Sequence, residues 1–375
     1  MIRPHPRRFR HVAVLLLALA LSACGGGGSD PVSQSTTPQA EASEPVSAPG
    51  AGTTPGTPIS TLRAVLTDEG LSIQGPNAWG GNPMLFWDNV QTGYEAVHAS
   101  LGAEVGTGAS SPWGAVSSTV ASRFKYESAT TRSGEIGVVY RGAGYRPIFG
   151  KPRYTGSASA FDHLYVSWWY RPSIDPGSEG ASNKFIRLWD DGNGYGTRIS
   201  WTQMHMTCDV PAGYTPEVSW KSWGGNAGQW NRMEVDANLA RPLVSAWVNG
   251  AVRHQHPCVK DPAQASKPLW VYVLGFDHGG NADGSVSYQD MVTEVADIYI
   301  ANSPARVEIS DSPTWAAATR REVLPVKHWD AQRIDLGFLR GVFPAGTPLY
   351  AYVINPDGST TAQGTLVTCT GLQWC

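Results

Sequence analysis

The chain has 375 residues, of which 41% are hydrophobic and only 16% charged, with 42 Gly, 27 Pro and 15 Trp and a formal charge of −3. About a quarter charged is usual for a soluble domain, so this composition disfavours a coiled coil, a long-helix bundle and a wholly disordered chain, and points to β-structure. Without Arg3, Arg7, Arg8 and Arg10 the balance is 24 basic against 31 acidic residues, which gives no bulk attraction for nucleic acid or anionic lipid; neither is an expected partner.

Residues 1–23 read as an export signal: an arginine-rich start, an apolar run from Val12 to Leu21, then Ser22 and Ala23 before Cys24. The run is too short for a membrane-spanning helix, which takes about 20 residues. Leu21-Ser22-Ala23-Cys24 resembles the lipobox of bacterial lipoproteins. That resemblance implies cleavage before Cys24 and lipidation of Cys24. With Gly25 rather than Asp next, it also implies an outer-membrane location, the membrane being contacted through the lipid anchor only. Residues 24–61 form the lipidated cysteine and a flexible tether. From Gly25 to Ser60 there is no aromatic, Lys or Arg, so too little apolar area is present to offset the entropy of ordering.

Every tryptophan lies at or beyond Trp79, where burial begins. Short alternating or aromatic runs then follow, separated by turn signals, as in an all-β sandwich. The clearest predicted strands are 164–171, 184–189, 198–207, 230–238, 244–248, 269–276 and 295–301. Asn249-Gly250 is a strong hairpin signal, with Asp191-Gly192 and Asp357-Gly358 as further turns. The best helical fragment is 313–322. Residues 62–310 are assigned to one domain and 311–375 to a small β-rich appendage that packs on it, with strands at 349–354 and 365–368. Cys208, Cys258, Cys369 and Cys375 remain after Cys24; in an oxidising compartment an even number reads as disulfides, with three connectivities. The favoured one pairs Cys369 with Cys375 and Cys208 with Cys258, which argues against a metal site at His254-x-His256-x-Cys258.

Several phrases together resemble jelly-roll proteins of the concanavalin A-like lectin/glucanase superfamily, particularly heparin-lyase-like polysaccharide lyases. They include Leu85-Phe86-Trp87-Asp88-Asn89-Val90, Tyr165-Val166-Ser167-Trp168-Trp169-Tyr170, Lys184-Phe185-Ile186-Arg187-Leu188-Trp189 and Gly228-Gln229-Trp230-Asn231-Arg232-Met233-Glu234-Val235. The resemblance spans about residues 80–310 and implies a two-sheet antiparallel jelly-roll sandwich with a groove for extended glycans.

Three functions are weighed. A surface-anchored protein that binds a polysaccharide is preferred, on its aromatics: Trp201, Trp220, Trp223 and Trp247 are candidate stacking platforms. The alternative is a polysaccharide lyase cleaving uronate glycans by β-elimination, which needs a neutraliser for the carboxylate and a base of near-neutral pKa. Gln203-Met204-His205 is similar to the Gln-x-His strand motif of alginate-lyase-type jelly rolls, which implies Gln203 as carboxylate binder and His205 as base. On a single strand Trp201, Gln203 and His205 would share a face, with Arg187 as cationic partner. A structural or adhesive envelope protein is the third reading. Retaining hydrolysis is set aside, because Glu234-Val235-Asp236-Ala237-Asn238 ends in an amide that cannot donate the proton. No cofactor is required by these chemistries. For structural calcium, the loop 279–290 lacks an oxygen ligand at its first position, and the resemblance offers Asp88 with Asp297.

Overall fold

The computed structural model describes residues 62–77, 81–116, 122–154, 162–179, 183–190, 196–210, 217–264, 266–279 and 287–370. The leader, Cys24, the tether, Cys375, Asp191-Gly192 and most of the 279–290 loop lie outside the described residues.

The protein is an all-β jelly-roll sandwich of two antiparallel sheets. The front sheet has the order Glu217–Trp220, His205–Asp209, Arg198–Thr202, Asn183–Trp189, Trp270–His278, Ile148–Phe149. The back sheet runs Ala251–Pro257, Leu243–Val248, Asn231–Asn238, His163–Pro172, Val292–Ala301, Ile136–Ala143, Lys125–Thr130, and Met84–Asp88 also pairs with Val292–Ala301. Inward-facing positions of both sheets supply one core, in which Trp168, Tyr170, Phe185, Trp201 and Trp223 are buried against one another. Asn249 and Gly250 have φ of 53° and 79°, so the expected hairpin turn forms between Val248 and Ala251. Cys208 and Cys258 form a disulfide that ties the front sheet to the end of a back-sheet strand. Cys369 is disulfide-bonded as well.

Two differences from the sequence reading concern boundaries. The fragment 313–322 holds only a 3-10 turn, Trp315–Ala317, while the α-helix is Gln91–Ala96, six residues too short for a periodic signal. The appendage is also not confined to 311–375. A third sheet has the order Glu322–Val323, Arg306–Ser310, Tyr350–Ile354, Thr365–Cys369, Arg63–Thr67, Gly70–Gln74, Arg333–Leu336, Val326–Trp329. It therefore takes in the first hairpin of the domain assigned to 62–310. The reason is burial: Ala64, Leu66, Leu71 and Ile73 alternate inward and complete a core with Val307, Ile334, Leu336 and Val353.

The third sheet covers the outer face of the back sheet through a buried ionic cluster. Arg232 bonds Glu308 at 2.7 Å and Glu234 at 3.1 Å, Arg306 bonds Glu308 at 2.6 Å, and the Tyr165 hydroxyl donates to Glu234 at 2.6 Å. Burial would raise the Glu308 pKa, but Arg232 and Arg306 outweigh it and hold the carboxyl far below its usual range. Arg132 similarly joins Asp297 of the back sheet to Glu322 of the third sheet. The broad face left to the sandwich is the outer face of the front sheet.

Candidate functional site

The outer face is built by alternation with one correction from a bulge. The register of Asn183–Trp189 against Arg198–Thr202 shifts between Lys184 and Ile186. Phe185 and Ile186 are consequently both in the core, and Lys184 and Arg187, three residues apart, both turn outward with Trp189. Register then sets the neighbours: Lys184 lies opposite Thr202 and Asp277, Arg187 opposite Ser200, and Trp189 opposite Arg198 and Trp270. On the other side His205 lies opposite Trp220, and Asp209 opposite Arg198.

The face gathers five cations, Arg146, Lys151, Lys184, Arg187 and Arg198, around two carboxylates. Arg198 pairs with Asp209 at 2.8 Å and Arg146 with Asp277 at 2.8 Å. The Arg187 Nε donates to Ser200 Oγ at 3.1 Å. Among the described residues neither Arg187 nor Lys184 has a carboxylate within ion-pair distance. Aromatic rings are interleaved: Lys151 sits 4.5 Å from the Tyr272 ring, Tyr272 packs on Trp189 at 5.6 Å, and the Arg198 guanidinium lies 5.6 Å from Trp189. At the opposite edge the His205 and Trp220 rings are 4.7 Å apart, and Trp220 is 69% exposed.

The pKa directions share an electrostatic cause. Burial lowers Arg187, reinforced by Arg198; burial lowers Lys184, opposed by Asp277 and reinforced by Arg187, Arg146 and Arg198. Burial and then Lys184 lower His205, leaving it neutral at pH 7. The Thr202 hydroxyl donates to the His205 carbonyl at 3.0 Å and lies 3.3 Å from His205 Nδ1. The same hydroxyl oxygen accepts from the His205 and Met204 amides at 3.1 and 3.3 Å, so Thr202 holds the strand end that presents the imidazole. Surplus positive charge with a neutral imidazole at its edge favours an anionic ligand.

Of the residues singled out in the sequence, the structure brings Arg187, His205 and Trp220 onto this face and places the others elsewhere. The predicted strand 198–207 is interrupted at Gln203-Met204, so Arg198–Thr202 and His205–Asp209 are two arms of a hairpin. Parity flips across that turn, and Trp201 points inward. It is 0% exposed, with ring centroids 6.1 Å from Trp168 and 5.8 Å from Phe185. Gln203 is buried and its Oε1 accepts from the Asn183 amide at 2.8 Å. Trp223 is packed against Phe185 and Tyr170 in the core. Trp247 lies opposite Glu234 and so on the covered face of the back sheet. Sequence reading missed Lys184, Trp189, Arg198 and Tyr272; only the front-sheet register and its bulge reveal them as neighbours.

Asp88 and Asp297 do not make a free calcium pair. Asp88 accepts from the Val90 amide, Trp113 Nε1 and the Tyr140 hydroxyl at 2.8, 3.0 and 2.6 Å, and burial raises its pKa to about 6. Asp297 is engaged by Arg132. A cation would have to displace these protein donors. His254 and His256 are buried next to a cysteine that is bridged, and Asp236 bonds His163 at 2.6 Å.

No family model and no curated protein matches the sequence. Among solved structures, the chain is similar to an endo-beta-1,4-glucuronan lyase from Trichoderma reesei, with 12% identity and a TM-score of 0.38 over 58% of this chain and 95% of that one. An alginate lyase from Corynebacterium sp. gives 11% identity and a TM-score of 0.32 over 62% of this chain and 94% of that one. A sialidase gives 12% and 0.31 over 50% of this chain, which spans 16% of that sialidase. Likenesses this distant transfer no activity.

Proposed function

We propose that the outer face of the front sheet binds an acidic, uronate-bearing polysaccharide, on a lipoprotein held at the outer membrane through Cys24. The observation that carries this reading is the cationic, ring-studded patch on a chain of net charge −3, in which Lys184 and Arg187 have no carboxylate within ion-pair distance among the described residues. Each sugar carboxylate would pair with a guanidinium or ammonium, and the faces of Trp220, Trp189 and Tyr272 offer apolar platforms to sugar rings. The test is a panel of neutral and uronate polysaccharides, scored for retention and for the ultraviolet absorbance of unsaturated uronate. Uronate chains should be retained, neutral ones not, and salt should weaken retention. Arg187→Ala should cost about 10- to 100-fold in affinity, the value of a charge-assisted hydrogen bond. Equal retention of neutral glycans, or an unaffected Arg187→Ala, sinks the assignment. Separately, Cys24→Ala should release the protein from the membrane fraction, and unchanged partitioning defeats the anchor.

A lyase is the second reading, favoured by one observation: a neutral His205 beside the Lys184 charge. The unprotonated nitrogen of His205 would take the proton from the carbon bearing the carboxylate, a carbon–carbon double bond would form, and the glycosidic oxygen on the next carbon would leave as a hydroxyl, protonated by water. Lys184 would hold the carboxylate while charge develops there.

A further inference from the structure

We propose that Asp190, Asp261 and Gln264 form a calcium site at one end of the front sheet. Asp190 directly follows the strand Asn183–Trp189, and Thr197 directly precedes Arg198–Thr202, so the two face each other across the hairpin end; the Asp190 amide donates to the Thr197 carbonyl at 3.3 Å. Thr197 also fixes the third segment, since its hydroxyl oxygen accepts from the Asp261 amide at 2.6 Å. Asp261 then begins the short 3-10 turn Pro262–Gln264, with Oδ1 accepting from the Ala263 amide at 2.9 Å, and this turn delivers Gln264.

Gly196, at φ +87°, records how closely Asp190 and Gln264 approach each other, while Asp261 is tied to the same hairpin end through Thr197. A Cβ there would stand 2.0 Å from Asp190 Oδ1 and 3.1 Å from Gln264 Cγ. Asp190 and Asp261 are only 3% and 5% exposed. Four oxygens of the group nevertheless accept no hydrogen bond of normal geometry: both carboxylate oxygens of Asp190, Asp261 Oδ2 and Gln264 Oε1. The two buried carboxylates of Asp190 and Asp261 repel each other, and the neighbouring cation Lys260 is itself engaged by Asp162 and the Lys267 carbonyl. Buried charge of this kind demands a counter-charge. An all-oxygen set of two carboxylates and one amide carbonyl suits a hard cation, and a set completed by water at 2.3 to 2.6 Å suits calcium better than the smaller, stricter magnesium. Sulfur and imidazole, which transition metals prefer, are absent from the group.

The experiment uses the full chain stripped with EDTA and then titrated with calcium chloride or magnesium chloride, read by melting temperature and by calorimetric binding. Calcium should raise the melting temperature and bind with one site; magnesium should do so far less. Asp190→Asn and Asp261→Asn should each weaken calcium binding at least tenfold, yet in EDTA both variants should be as stable as the parent or more so, because each relieves like-charge repulsion. Absence of a calcium response in the parent overturns the proposal. So does a response that survives in the double variant, an equal response to magnesium, or variants that are less stable than the parent in EDTA.

Discussion

His205 separates the two readings of the front face by the sign of a pH dependence. Its pKa lies below the ordinary 6.5, through burial and then Lys184, so it is neutral at pH 7 and gains its proton as pH falls. As a binding residue it would then add a cation while uronates, whose carboxyls titrate near 3.5, remain charged. Retention of a uronate chain should therefore strengthen about two- to fivefold between pH 7 and pH 5, and His205→Ala should flatten that slope. As a catalytic base it must be unprotonated, so product formation would fall over the same interval and vanish in His205→Ala. A slope unaltered by the substitution removes His205 from both roles. His205 and Arg187 were legible as residue types suited to this chemistry. Their neighbours were not, because the cations of the face are scattered from Arg146 to Arg198 in the chain and only strand register assembles them.

Strands were the most legible elements, since alternation and aromatic runs marked their positions, and the turns were legible where Asn249-Gly250 or Asp357-Gly358 announced them. The turn at Gln203-Met204 carries no glycine, proline or asparagine, and the bulge at Phe185 has no sequence mark either. Each displaces one residue, and with a period of two that sends a side chain to the opposite face. Hence Trp201 was expected outside and is in the core. The bridge Cys208–Cys258 was legible because four cysteines beyond Cys24 form an even set and the closeness of Cys369 to Cys375 in sequence leaves Cys208 with Cys258. It closes a loop of 50 residues, for which loop entropy gives about 4 kcal/mol. The double variant Cys208→Ala/Cys258→Ala should melt about 5 to 10 °C lower by calorimetry. Glycan retention should persist, since both sulfurs face the core and Arg187 faces out. An unshifted melting temperature would show that the bridge does not restrain the unfolded chain.

At the scale of the molecule, the third sheet decides which face of the sandwich is available. Its cluster with the back sheet buries Arg232, Glu234, Arg306 and Glu308 beside Tyr165 and Tyr299. Sequence order hid this arrangement, because the sheet unites residues 63–74 with residues 306–369 through the parallel pairing of Arg63–Thr67 with Thr365–Cys369. The boundary expected at 310 therefore cuts through a folded unit. A chain of residues 62–310 would keep Arg306–Ser310 but lose the strands on both its sides, Tyr350–Ile354 and Glu322–Val323. The hairpin 63–74 would likewise lose Thr365–Cys369 and Arg333–Leu336. Glu308 would lose Arg321, and Arg132 would lose Glu322; removing one partner of a buried pair costs about 3 to 5 kcal/mol. That loss alone is a large part of the roughly 5 to 15 kcal/mol that stabilises a folded domain. The exposed apolar residues Ala64, Leu66, Val307 and Ile309 add a route to aggregation. The 62–310 chain should be insoluble or lack a cooperative melt, whereas 62–375 should melt in one transition and retain uronate glycans. A soluble 62–310 chain with a single sharp transition would mean that the ionic cluster and the shared core are dispensable to the sandwich.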